Sequence, residues 1–294
     1  MSRPPRIEFP NALYHLTSRS SAQQPVFTDN DDRAAFLTVL AQCCERMDAS
    51  VHAYCLLNDH YQLVLTTRRA NLSALMRQLN GVYTQAVNRR RGNDGPVFQG
   101  RFKSIVVDRK TYFLRLCQQV DLSPVRLGAV RDAAKWKWSS YGAHTGVVAC
   151  PPWLDGESVQ SAVLGQAPTT GAMRERAQQQ YATQLATAAA QPPAYAPDLL
   201  DGQVTRQIFL GNAAFIERVQ RLAAGASTTS KAAPGRRAAK LQPLAHWLKK
   251  CATREQALRC AYAEGGMTMT AIASEAGLTV GRVSQLIRQC EGLV

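Results

Sequence analysis

The residues of this chain best placed to do chemistry are His60 and Gln62, within Tyr54-Cys-Leu-Leu-Asn-Asp-His-Tyr-Gln-Leu63. Residues two apart on a β-strand project to the same face. A His-x-His pair there would present two imidazoles to one divalent cation. Here the second imidazole is replaced by a carboxamide, whose neutral oxygen is a weak ligand for such an ion. Whether the pair could hold such an ion turns on that difference. By itself, His60 also reads as a satisfied polar side chain with no ligand role.

A second set of residues could bind anions. Between Arg68 and Lys110 ten basic residues stand against two acids, and Arg89, Arg90 and Arg91 fall together at a helix end. A helix C-terminus favours cations in any case, and solvated charge runs are common. The excess, with Phe98, Gln99, Arg101, Phe102 and Lys103 close by, points to a phosphate-binding surface. Net charge is +14 and the pI about 9.7, which favours nucleic acid as partner and an anionic membrane only second.

The third set lies at Met269–Cys290. Gly277 allows a left-handed turn, Ala273 is small where two helices would cross, and Thr279 can cap a second helix with Val283, Leu286 and Ile287 inward. The outward residues would be Thr279, Arg282, Ser284, Gln285 and Arg288. Arg and Gln can make bidentate contacts to guanine and adenine in the major groove. A plain helical hairpin is the alternative reading.

These residues need elements to hold them. Alternating apolar residues predict strands at 12–18, 51–57, 61–66 and 101–107, with Asn58-Asp59 as a tight hairpin. Helical spacing predicts helices over 29–47, 72–90 and 111–122, the last stopped by Ser123-Pro124. The pattern is α+β, a mostly antiparallel sheet with helices on one face, followed by an all-α C-terminal region with a helix-turn-helix. Further helices are expected over 174–190 and 204–223. The expected domains are 1–150, a helical connecting region 151–224, a flexible basic linker 225–240 and a unit 241–294. The eight cysteines lack Cys-x-x-Cys spacing and read as reduced core thiols of a cytoplasmic protein, neither a zinc site nor disulfides. No apolar run is long enough to span a membrane, and the N-terminus does not read as a signal peptide.

Several short motifs occur in order: Arg3-Pro-Pro-Arg6, Tyr14-His-Leu-Thr-Ser-Arg19, Tyr54-Cys-Leu-Leu-Asn58 with His60, Tyr83, Asn88-Arg89, Phe98-Gln-Gly-Arg-Phe-Lys-Ser104, Pro124-Val-Arg126 with Gly128, and Trp138-Ser-Ser-Tyr141. With them, roughly residues 3–145 resemble the single-tyrosine HUH transposases, in particular the subgroup associated with repetitive extragenic palindromes. The resemblance implies a ferredoxin-like domain, often dimeric, that binds DNA hairpins and cuts single strands. Two histidines and a polar helix residue would hold a cation such as Mg²⁺, and a helix tyrosine would attack the phosphate. Carried over by position, the first histidine is His60, the second falls on Gln62, the tyrosine on Gln119 and the helix ligand on Ser123. The resemblance therefore implies vestigial catalytic positions and neither metal nor other cofactor. Neither Tyr112, two helical turns before Gln119, nor Tyr61, on the opposite strand face, fits as a substitute nucleophile.

The reading that follows is a regulatory, transposase-derived DNA-binding protein without catalysis. It would grip hairpin or single-stranded DNA through Arg89, Arg90, Arg91, Arg101 and Lys103, and a duplex site through Thr279, Arg282, Gln285 and Arg288. The alternatives are an active metal-dependent nickase with a displaced tyrosine, and an RNA-binding protein.

Overall fold

A computed structural model of the chain describes residues 6–20, 25–190, 203–231, 243–251, 253–263, 267 and 269–290. It divides into two compact units, residues 1–227 and 228–294.

The first unit opens with β1 (Ala12–Arg19), α1 (Asn30–Met47), β2 (Ala49–Leu56), β3 (His60–Thr67), α2 (Leu72–Arg91) and β4 (Lys103–Val107). The strands lie in the order β2-β3-β1-β4, each pair antiparallel, which is the ferredoxin-like βαββαβ arrangement. Asp29 caps α1 by accepting from the Asp32 amide at 2.9 Å, and Asp31 and Asp32 complement the positive end of the helix. Gly92 ends α2 at φ 64°, a left-handed conformation that glycine adopts without strain. The Leu57 amide donates to the His60 carbonyl, closing the expected Asn58-Asp59 hairpin.

Alternation along the strands makes two cores. Tyr14, Leu16, Leu63, Leu65 and Val106 meet Phe36 and Leu40 of α1 and Leu75, Leu79 and Tyr83 of α2. Leu13, Val64, Ile105 and Val107 face the other way. They meet α3 (Arg109–Arg126), α5 (Gly156–Leu164) and α6 (Gly171–Ala190). Helices thus cover both faces, not the one face expected from sequence. The two-faced burial shows in β3, which is buried along nearly its whole length. A bulge in β2 brings Val51 opposite Leu65 and Ala53 opposite Val64, leaving His52 as the extra residue. His52 meets Phe113 of α3 edge-on at 5.1 Å and lies 3.3 Å from Asp155, the residue that caps α5.

Other expectations change as well. Pro124 lies inside α3 and does not stop it. The short helix α4 (Tyr141–His144), α5 and α6 belong to the first unit, so the division after residue 150 separates no compact body. The helix expected from 204 begins only at α7 (Ala213–Lys231). Before it, β5 (Val204–Thr205) and β6 (Phe209–Leu210) form a hairpin, and β6 joins β4 in parallel to complete a six-stranded mixed sheet. Phe209 and Leu210 are buried in opposite cores, as a strand requires and a helix face does not. α7 runs into the expected linker, whose residues 232–240 lie outside the described residues.

The second unit contains α8 (Leu244–Lys250), α9 (Arg254–Ala263), α10 (Met269–Ala276) and α11 (Val280–Cys290) around Leu244, Trp247, Leu258, Ile272, Val283 and Ile287. Gly277 takes φ 66° between α10 and α11. Cys43, Cys44, Cys55 and Cys117 are buried thiols, whereas Cys150 is exposed and so departs from the core-thiol reading. No helix among the described residues is long and apolar enough to cross a membrane.

Candidate nucleic-acid interface

His60 and Gln62 do share a face of β3, the one toward α3. A third side chain joins them: His15 of β1, the diagonal neighbour of Gln62 across the sheet. All three are buried. The Gln62 carboxamide sits between the rings, its Oε1 3.3 Å from His15 Nε2 and its Nε2 3.4 Å from His60 Nε2. His60 Nδ1 lies 2.7 Å from the Asp59 carboxylate. These orientations define one directed chain. His15 N–H donates to Gln62 oxygen, Gln62 N–H to His60 Nε2, and His60 Nδ1–H to Asp59. His15 was not among the residues assigned a role from sequence. Its position three residues after Ala12 on an alternating strand, on the face of Leu13, was the available signal.

On α3, Gln119 is 5% exposed and Ser123 is buried. The Ser123 hydroxyl donates to the Gln119 carbonyl at 3.0 Å, one helical turn back. The cation implied by the resemblance does not fit this donor set. The amide nitrogen of Gln62 is turned to the Nε2 lone pair of His60, the Ser123 hydroxyl is engaged with backbone, and no carboxylate enters from α3. Among the described residues no cluster of three His, Cys, Asp or Glu side chains could hold a metal. Tyr61 is fully buried on the other face with its hydroxyl on Asn80, and burial drives its pKa upward.

Between Gln119 and Ser123 stands a residue that sequence reasoning passed over. Asp121 is fully buried and accepts from Ser140 Oγ, from His144 Nδ1 at 2.7 Å and from Tyr181 Oη at 2.8 Å. It ties α3 to α4 and α6. Burial, with the Asp121 charge beside it, raises the Tyr181 pKa well above the phenol range.

The basic residues separate into two groups. Arg90 pairs with Asp29 at 2.9 Å, with Asp31 at 3.5 Å and with Asp32. Arg91 pairs with Asp32 and donates to Thr28. These two guanidinia, assigned to phosphate from sequence, clamp the C-terminus of α2 to the acidic start of α1. Burial works to raise the Asp32 pKa, but hydrogen bonds from Thr28 and Arg91 outweigh it and the net shift is downward. Arg89 points outward and is exposed. Phe98 is also reassigned, being a core residue packed against Tyr61 and Tyr83.

Arg101 and Lys103 line a groove of about 530 Å³ at the start of β4, with Arg6, Gln99, Phe102 and Gln207. The Arg6 guanidinium lies 3.5 Å above the Phe102 ring and donates to the Phe102 carbonyl. Burial, then the neighbouring Arg101 charge, lowers the Arg6 pKa. Among the described residues, three cations and no carboxylate line the groove. Arg6 and Gln207 are additions to the sequence reading; Gln207 comes from the unexpected β5–β6 hairpin.

In the second unit, Thr279 Oγ1 accepts from the Arg282 amide at 3.3 Å. Arg282 and Gln285 are exposed and joined by a 2.7 Å hydrogen bond. Arg288 lies on α11 with its side chain outside the described residues.

Comparison with known proteins bears on the first unit. No curated protein matches the chain. A solved structure of a REP-associated tyrosine transposase bound to a REP hairpin aligns with 51% of this chain and 89% of that one, at 15% identity and a TM-score of 0.45. Residues 8–118 match the family model of the IS200-like transposases, a span that takes in the βαββαβ core and the first half of α3. Over that segment, somewhat more than a third of its length, the chain is similar to the IS200-like transposases.

Proposed function

We propose that the protein is a transposase-derived DNA-binding protein that holds hairpin or single-stranded DNA without cutting it. One contrast supports this reading: the side chains at the position the resemblance links to strand cleavage are engaged in Asp59–His60–Gln62–His15 hydrogen bonds, while Arg6, Arg101 and Lys103 line a groove to which the described residues add no carboxylate. The groove and exposed Arg89 would take phosphates. Arg282 and Gln285 of α11, with Thr279 at its start and Arg288 further along, would contact a duplex site. Two linked modules raise avidity when both sites lie within reach, which suits a role in gene regulation. A homodimer formed by joining sheet edges has little edge to use. β4 is covered by β6, and β2 is bridged by Ser139 and Leu154.

The test is a salt titration of hairpin affinity. Replacing Arg101 and Lys103 together by Ala should lower the slope of log K against log salt by about two, one for each phosphate left without its cation. An unchanged slope removes the groove from the interface.

A further inference from the structure

Beside His60 lies a separate cavity of about 500 Å³, within the size range of small-ligand sites. We propose that it receives one unpaired guanine base, an inference that rests on the reading of the first unit as a holder of unpaired DNA. Leu57, Leu127, Ala129 and Trp136 give it an apolar side. Leu127 is 40% exposed there, one of few large apolar side chains left in solvent. Trp136 stands among the lining residues with its indole N–H fixed on the Leu56 carbonyl at 3.2 Å, so its ring is held in place. The polar end is formed by Arg19, Asn58, Asp59 and His60, of which Asn58 accepts from Arg33 and His60 is engaged with Asp59 and Gln62.

A flat ring with apolar faces and a polar rim suits such a cavity. Asp59 selects among the bases. Its side chain is 62% exposed, and Oδ1 accepts from His60. A carboxylate has acceptor sites and no donor, so the group meets a base as an acceptor. Guanine alone offers two adjacent N–H donors, N1–H and the N2 amine, to a carboxylate. Adenine, cytosine and thymine set a ring nitrogen or carbonyl acceptor beside their donor, and that acceptor is repelled. The contact uses the Watson–Crick edge, so the base must be unpaired. Arg19 is placed to meet the adjoining phosphate.

The experiment uses the full chain and fluorescein-labelled ten-residue thymidine strands carrying one central dG, dI or dA, read by fluorescence anisotropy. Inosine lacks only the N2 amine. The dG strand should bind about tenfold tighter than the dI strand, the value of one hydrogen bond to a charged group. In Asp59→Asn that ratio should fall to about one. Leu127→Glu, a change at an exposed site, should bring the dG strand to the affinity of the dA strand without altering the far-ultraviolet circular dichroism. Equal binding of dG and dI by the unaltered protein overturns the guanine site and leaves the DNA-holding reading standing. A dG preference that persists in Asp59→Asn overturns the assignment to this cavity. Failure to bind any strand overturns both readings.

Discussion

Two buried polar clusters lie on the same face of the sheet and share helix α3, yet they are built differently. Around Asp121, one carboxylate gathers three donors at close range from Ser140, His144 and Tyr181. Around Gln62, neutral groups meet at 3.3 and 3.4 Å, near the upper limit for a hydrogen bond. The first arrangement is what a buried charge requires, and it fastens α4 and α6 to α3. The second is a looser row that fills a place where the family resemblance implies a metal. The difference separates a cluster that fastens helices to the sheet from one at the position the resemblance links to chemistry.

The largest effect should come from breaking the first cluster. Asp121→Ala leaves three buried donors without their acceptor and should cost about 3–5 kcal/mol of unfolding free energy in urea. Gln62→Leu, on the same face, should cost only about 1–2 kcal/mol, because it removes long, uncharged hydrogen bonds. Equal losses would erase the distinction between the clusters.

The two groups of arginines offer a second contrast. Arg90→Ala with Arg91→Ala should lower thermal stability and leave the salt slope of DNA binding unchanged, because these side chains serve Asp29 and Asp32. Arg101 and Lys103 should behave in the opposite way. A reduced slope in the Arg90/Arg91 variant would return those residues to the interface.

The smallest effect concerns His52 and Asp155. Burial lowers the His52 pKa, with Arg109 of α3 and His144 of α4 also opposing its charge and Asp155 favouring it. Burial works to raise the Asp155 pKa, but hydrogen bonds from His52 and Ser158 bring it down. Both folded values lie below the unfolded ones. The stability they contribute is thus complete above about pH 6.5, declines as pH falls through the His52 value, and declines again below about pH 4 as Asp155 takes up a proton. Melting temperatures across pH should show this two-stage loss, and Asp155→Asn should flatten the lower stage. A melting temperature that rises on acidification from pH 6.5 would contradict it.

The βαββαβ order was legible because each element carries a local signal: Asp29 as cap, Asn58-Asp59 as turn, Leu75, Leu79 and Tyr83 as stripe. The β5–β6 hairpin was not. Ile208 and Phe209 beside the apolar spacing of 213–223 mimic a helix, and only docking of β6 on β4 decides otherwise. Of the site, the shared strand face of His60 and Gln62 was legible from their spacing. His15 and Asp121 were missed because their partners lie far along the chain, 47 residues away for His15 and 60 for the Tyr181 contact of Asp121. The ion pairs of Arg90 and Arg91 were not legible for a related reason: the acids that bind them lie about 60 residues earlier, and a charge run does not announce its counterions.

The most direct measurement combines a 5′-labelled DNA hairpin bearing single-stranded flanks with the full chain, in Mn²⁺ and in excess chelator. A protein that holds DNA without cutting it should give the same retarded complex on a native gel in both conditions, and no labelled species migrating with the protein on a denaturing gel. A covalent protein–DNA adduct that forms only with the cation would contradict it.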